Sequence, residues 1–264
     1  MTDRHFDLPR YLAILPQFKT LQSAQLQRLA EGCQLRRVAR GQMVFRVGDP
    51  CPEFHVTVTG QVKLFALSAA GQEKVIELAG PGMSFAEATL FLGGPHRVNA
   101  QALMETLLLA VNRQVLLDEI ARNPCFALHM LDGLSRHLHG LMDDVQAYTL
   151  HSGLRRVVDY LLREFAVGCA GAATVALPVS KATIALRLSL TPEYFSRVLH
   201  QLEGAGMIQV DKRMIRIPDL ARLRRHGESA GDASVTSLPV RSKAGTRAQR
   251  HMPPHMSAAA HAIL

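Results

Sequence analysis

The feature that most constrains this chain is a change of hydrophobic period near Arg113: short, glycine-punctuated apolar runs precede it and helically spaced apolar residues follow. Gly41, Gly48, Gly60, Gly71, Gly80, Gly82 and the pair Gly93-Gly94 separate the runs Met43–Arg46, Phe54–Val58, Val62–Leu67, Lys74–Leu78 and Leu107–Val111. Turn residues recurring every roughly 8–12 positions between apolar runs describe an all-β sandwich or barrel. A helix over Ser23–Glu31, with Ser23 as its N-cap, precedes them. Beyond Arg113, residues Val115, Leu116, Leu117 and Ile120 open a helical pattern. Past Pro124, Leu131, Leu134, Leu138, Leu141, Val145 and Tyr148 recur at alternating intervals of three and four. So strict an alternation makes a narrow seam of the kind two helices share, and it predicts a parallel homodimer with Leu131, Leu134, Leu138, Leu141 and Val145 at the interface.

A third region begins near Ser152, with the helical series Leu154, Val157, Val158, Leu161, Leu162 and Phe165, then a loop over Gly168–Ala173 and a strand at Thr174–Leu177. Two short helices follow, over Lys181–Arg187 and from Thr191-Pro192-Glu193 to Gly204. Thr191 as N-cap, Pro192 at the first helical position and an acid in the first turn form a strong start signal. A hairpin, Met207–Val210 and Met214–Ile217 around Asp211-Lys212-Arg213, closes the region. From Gly227 the chain turns to Ala, Ser, Pro, Arg and His without periodicity, which predicts a disordered basic tail over 227–264.

Charge divides along the same lines. Residues 1–150 carry 14 Lys+Arg against 14 Asp+Glu, residues 151–220 carry 9 against 6, and residues 221–264 carry 7 against 2. The basic excess is C-terminal, where it suits a polyanionic partner. No run reaches the ~18 apolar residues of a membrane-spanning helix, and the opening residues lack a signal-peptide core, so a cytoplasmic protein without a membrane partner is expected. Cys33, Cys51, Cys125 and Cys169 form no CxxC pair, which speaks for reduced, packed thiols. The chain holds no nucleophile elbow, P-loop or HExxH motif, so it is not expected to be an enzyme.

Two short helices and a two-stranded wing make a winged helix-turn-helix, whose second helix enters the DNA major groove. Glu193, Ser196 and Arg197 stand at i, i+3 and i+4 and so share a helix face. Arg197 can donate twice to guanine, Glu193 can accept from cytosine, and Ser196 can do either. Phe195, Val198, Leu199 and Leu202 form the opposite, apolar face, to be packed on Ile184, Leu186 and Leu188. Thr191, Lys181, Lys212 and Arg213 complete the candidate DNA-binding set.

On these residues the chain resembles the CRP/FNR family of bacterial transcription regulators over about residues 10–225. The carrying segments are GQMVFRVGDP, VTGQVKLFALSAAGQEKVIEL, SFAEATLF, the long helix and LSLTPEYFSRVLHQLEGAGMI. The resemblance implies an α+β chain. Residues 1–113 would form a cyclic-nucleotide-binding-like β-roll (jelly roll), 114–150 a dimerisation helix and 151–226 a winged helix-turn-helix. It also implies a homodimer that acts as a transcription activator, together with RNA polymerase and a small effector. Glu193-x-x-Ser196-Arg197 is similar to the FNR-type reading helix, which implies a palindromic FNR-like box with TTGAT-type half-sites.

For the sensor, the resemblance implies an effector pocket at Phe85, Glu87, Arg97 and Val98. A family nucleotide site uses a Gly-Glu pair and an Arg-Ser pair; here Ala86-Glu87 and Arg97-Val98 stand instead, which keeps a cyclic AMP response as the alternative. The cysteine spacing does not suit an iron–sulfur cluster. The segments GQEKVIELAGPGMSFAEATLFL and LTPEYFSR are most similar to the Dnr/NnrR branch, implying a nitric oxide response through haem and control of denitrification. His5, His55, His96 and His129 are the candidate axial donors, whereas His137 and His139 project to opposite sides of their helix.

Overall fold

The computed structural model describes residues 6–165 and 173–232. Helix α1 (Leu8–Ile14) is capped by Asp7, whose carboxylate accepts from the Arg10 amide at 3.0 Å. Helix α2 (Ser23–Glu31) stands where expected, but its N-cap is Gln22 rather than Ser23. The reason is a capping box: the Gln25 side chain accepts from the Gln22 amide at 2.8 Å.

Eight strands and a short helix follow: β1 (Cys33–Val38), β2 (Met43–Phe45), β3 (Glu53–Thr59), β4 (Val62–Leu67), β5 (Glu73–Ala79), β6 (Ser84–Phe85), α3 (Glu87–Leu92), β7 (Asn99–Ala102) and β8 (Thr106–Asn112). They form two four-stranded sheets, ordered β1-β8-β3-β6 and β2-β7-β4-β5, with every pairing antiparallel. The turn between β3 and β4 depends on Gly60, at φ 93°, because a Cβ there would lie 2.4 Å from Thr106 Oγ1 and 2.7 Å from the Glu105 carbonyl oxygen.

Alternation along β3 divides two cores. Phe54 and Val56 face the helices, packing with Leu12, Phe18, Leu116 and Phe126, where Phe18 lies 6.4 Å from Phe54 and 5.9 Å from Phe126 between ring centroids. Val38, Phe45, Val62, Leu64, Phe85, Ala100 and Leu108 fill the space inside the roll. Burial of these side chains from water stabilises the sandwich.

Helix α4 (Arg113–Arg122) leads to α5 (Pro124–Leu150), whose 27 residues span about 40 Å. Leu131, Leu138 and Val145 are exposed on α5, as are Leu128 and Met142, while Leu134 and Leu141 are half-buried. Tyr148 leaves the seam that its spacing assigned it to. Its hydroxyl donates to the Arg187 carbonyl at 2.7 Å, drawing the end of α5 onto the C-terminal domain.

That domain comprises α6 (Gly153–Phe165), β9 (Ala173–Ala176), α7 (Lys181–Arg187), α8 (Pro192–Gly204), β10 (Gln209–Asp211), β11 (Met214–Ile217) and α9 (Leu220–Asp232), with a sheet ordered β10-β11-β9. The expected loop before Ala173 lies outside the described residues. Helix α9 runs past 226 into the first residues of the expected tail, to Asp232, where Leu223 is fully buried and Gly227 packs so closely on Val158 that a Cβ would fall 2.7 Å from its Cγ1. The rest of the expected tail, 233–264, lies outside the described residues.

Candidate functional site

The C-terminal site is built on α8. Thr191 Oγ1 accepts from the Tyr194 amide at 3.2 Å and Pro192 occupies the first turn, so the helix begins at a fixed place and angle. Phe195, Val198, Leu199 and Leu202 are buried against Ile184, Ala185 and Leu188 of the preceding helix and turn. With that flank anchored, Glu193 and Arg197 stand exposed and Ser196 half-exposed on the other, as the sequence spacing requires. The first turn of a helix carries partial positive charge from unpaired amides, which favours approach to a phosphate backbone.

The remaining candidates behave differently from one another. Lys212 is exposed at the tip of the β10–β11 hairpin, where it takes a φ of 52°. Lys181 is half-buried in the first turn of α7. Thr191 spends its hydroxyl on the cap. Arg213 is exposed on the same hairpin, and its guanidinium donates to the Leu177 carbonyl at 2.8 Å, tying the hairpin to the strand β9 side of its own domain.

The turn before α8 is clamped to the sensor. Lys74 Nζ on β5 donates to the carbonyls of Leu186 at 3.2 Å and Arg187 at 3.0 Å, and to Ser189 Oγ at 2.6 Å. Its ammonium also lies 4.1 Å from the centroid of the Tyr148 ring. Arg187 pairs with the buried Asp144 of α5, and Arg156 of α6 donates to the Leu188 carbonyl at 2.8 Å. Burial pushes the Lys74 amine down to about 8. Nothing in the one-dimensional pattern marks Lys74, which sits in an ordinary strand; its importance comes from the fold bringing β5 to α7.

In the sensor, the expected pocket does not form as one cavity. Phe85 is buried inside the roll, where its ring lies 6.1 Å from Phe45 and 5.2 Å from His55. His96 stacks on Phe45 at 3.5 Å with the planes 4° apart, completing a packed aromatic set. Val98 packs at the edge of this core and Arg97 is exposed. The physical reason is packing: Phe45, His55, Phe85 and His96 fill the interior of the roll against one another.

Of the four, Glu87 opens onto a cavity. That cavity, of about 310 Å³, lies between the roll and α5 and is lined by Gln17, Glu77, Met83, Ser84, Glu87, Met130, Leu134 and His137 among others. His137 Nε2 lies 3.5 Å from Glu77 Oε2. Burial raises the carboxyl of Glu77, with His137 opposing that shift, and burial likewise raises Glu87, opposed by a hydrogen bond from Ser84. The cleft therefore presents two hard-to-ionise carboxyls, an imidazole and the guanidinium of Arg136. Sequence reading missed Glu77, which looks like the solvent side of an alternating strand, and set His137 aside by treating it only as a partner for His139.

The candidate haem donors separate on the same geometry. His55 and His96 are both 4% exposed, with ring faces against Phe45 or Phe85 and Nδ1 atoms that have no hydrogen-bond partner. Neither has space for a macrocycle at its ring edge without dismantling the core. His129 Nδ1 lies 2.8 Å from the Cys125 carbonyl, within its own helix. His5 lies outside the described residues. His137, by contrast, faces the cleft, which the Met130 side chain also lines. Cys33 is a packed thiol, pushed up to about 12 by burial.

Residues 35–123 match the cyclic nucleotide-binding domain family and residues 155–226 the Crp-like helix-turn-helix domain family. The chain belongs to the CRP/FNR family of transcription regulators. It is similar to a CRP-like cAMP-activated global transcriptional regulator of Mycobacterium tuberculosis, with 24% identity over 211 residues, covering 79% of this chain and 94% of the relative. It is similar to the fumarate and nitrate reduction regulatory protein of Escherichia coli, with 24% identity over 216 residues, covering 78% of this chain and 85% of the relative. The structure of FixK2 from Bradyrhizobium japonicum shares its fold, with a TM-score of 0.67 at 24% identity over 73% of this chain and 96% of that one. As a CRP/FNR regulator the protein binds DNA through its helix-turn-helix and is not an enzyme. Among the described residues, no helix is long and apolar enough to cross a membrane.

Proposed function

We propose that this CRP/FNR regulator works in the cytoplasm as a homodimer that reads a palindromic FNR-like box and works with RNA polymerase at its promoters. The observation that carries the DNA reading is α8 itself, with Glu193, Ser196 and Arg197 on its open flank and four buried apolar residues on the other. The exposed Leu131, Leu138 and Val145 on α5 support pairing through the long helix, because a second copy would cover a stripe that this protomer leaves in water. In gel shifts, the wild-type protein should prefer a TTGAT-type palindrome to one with its guanines replaced. Arg197→Ala should lose roughly 1–3 kcal/mol of that preference per half-site. Equal discrimination by wild type and variant would remove Arg197 from the reading head.

The effector enters the cleft between the roll and α5, where binding can favour one placement of the long helix over another and so shift the population of DNA-competent dimers. Glu77, Glu87 and Arg136 line this cleft while Arg97 stands outside it; the cation within reach of an anionic effector is therefore Arg136, which pairs with Asp132 of its own helix. A nitric oxide response through haem, serving denitrification, is supported by the segment likeness to the Dnr/NnrR branch and by His137 in the cleft. When bound, haem would supply an iron that takes a diatomic gas; His137 would hold it, and Met83, Met130 and Leu134 would exclude water around it. The absorption spectrum of protein loaded with haem, before and after nitric oxide, tests this. His137→Ala should abolish the spectral change, and a variant with the wild-type spectrum would refute the assignment.

A further inference from the structure

We infer that Tyr194 is a positioning residue for base readout: its ring, seated on Gly153, holds the Arg197 guanidinium in its reading orientation. The inference rests on α8 being the reading helix and adds a specificity determinant to it. Tyr194 lies three positions before Arg197, hence on the same side of the helix one turn earlier. The Arg197 guanidinium carbon stands 5.8 Å from the Tyr194 ring centroid, within the range of cation–π attraction. The ring is fixed from behind. Gly153 is buried at the first position of α6, and a Cβ on it would fall 2.4 Å from Tyr194 Cε1 and 3.0 Å from its hydroxyl oxygen. The backbone is fixed as well, since the Tyr194 amide donates to Thr191 Oγ1.

These contacts have a chemical consequence. An arginine that reads guanine must present two N–H groups in one plane, and a free surface arginine is spread over many rotamers. An aromatic ring backed on one side by Gly153 removes part of that freedom before DNA arrives. Because Gly153 stands just past His151 and Ser152, which follow the long helix, the same ring also joins the start of α6 to the reading residues.

The test compares wild type, Tyr194→Ala, Tyr194→Phe and Gly153→Ala. Each is used to select duplexes from a random-sequence pool, and its affinity is then measured for the wild-type's preferred box and for that box with the contacted guanine replaced. Tyr194→Ala should lose about ten-fold in discrimination on a palindrome, where both half-sites lose the contact. Tyr194→Phe should keep it, and Gly153→Ala should shift it in the same direction as alanine by displacing the ring. A Tyr194→Ala protein that weakens on both duplexes equally would show a phosphate contact instead and overturn the inference, as would one that discriminates like wild type. A wild-type box unlike TTGAT would fail the FNR-like reading while leaving the role of Tyr194 decided by the variants. Should Tyr194→Ala not fold, the contrast between Tyr194→Phe and Gly153→Ala decides the question.

Discussion

The two working regions of this chain are assembled in opposite ways. The reading surface comes from one stretch, Thr191 to Arg197, on a single helix that carries its own cap, first-turn proline and anchoring face. The effector cleft is gathered from Gln17, from the strand and loop holding Glu77, Ser84 and Glu87, and from Met130, Leu134 and His137 on α5. A site of the first kind can be destroyed locally; a site of the second kind depends on how whole elements stand against one another. Phe195→Ala tests this most severely. Emptying a fully buried aromatic position in the C-terminal core should cost about 3–5 kcal/mol and abolish DNA binding. Two-wavelength thermal unfolding should then show the C-terminal domain melting first with the β-roll transition retained. Loss of both domains in one step would mean that the Lys74 clamp makes them a single cooperative unit.

Acid should act on the sensor through its packed imidazoles. Burial pushes the ring of His55 down to about 3, against an unfolded value near 6.5, and lowers that of His96 in the same direction. The unfolded chain therefore binds the proton more readily, so stability falls as the pH drops below 6.5 and keeps falling until about 3. For His55 alone the loss at pH 5 is about 2 kcal/mol. Denaturant midpoints measured from pH 7 to pH 5 should decline, and His55→Phe, which keeps the stack on Phe45 and Phe85, should flatten the decline. A wild-type profile without slope over that range would contradict the buried, unpartnered placement of the ring.

This contrast also explains what was readable in advance. Helices α7 and α8 and strands β3, β4, β5 and β8 are visible in the sequence because caps, prolines and periodic apolar residues lie within the element. Strand β7 is not, since Asn99-Ala100-Gln101-Ala102 has little strand preference and exists by pairing between β2 and β4. Strand β1 hides Arg36 and Arg37 in a run that reads as a charged loop, though Arg36 is held by Glu53 of β3, across β8 in the same sheet. The reading triad was legible in full because helical spacing alone sets which residues share a flank. The cleft was legible only at Glu87. Placing Phe85, Arg97 and Val98 with it required knowing that Phe45, His55 and His96 already fill the roll.

The clamp between the regions offers a smaller perturbation. Lys74→Met removes three hydrogen bonds to the turn ahead of α8 while keeping the aliphatic stem against Tyr148. The freed carbonyls can reach water, so the expected cost is about 1–2 kcal/mol. Amides of Leu188 and Ser189 should exchange with solvent faster, while those inside α8 should keep their protection. Unchanged exchange at the turn would show that Arg156 and Tyr148 suffice to hold it.

The smallest expected effect lies at Ala86, which joins β6 to α3 in the left-handed region at φ 74° and ψ 6°. An L-residue pays roughly 1–2 kcal/mol there, which glycine avoids. Two terms oppose the gain from Ala86→Gly: glycine is freer in the unfolded chain, and the Ala86 methyl packs at the edge of both sensor cores. The balance should be a stabilisation below about 1 kcal/mol, read as a small rise in the denaturant midpoint. DNA discrimination should not change, since α8 shares no contact with this turn among those described. A fall in stability would mean that the methyl group's packing outweighs the backbone strain. Ala86 would then be a filled position of the core whose conformation the surrounding strands impose, and the neighbouring Glu87 would owe its place in the cleft to that packing.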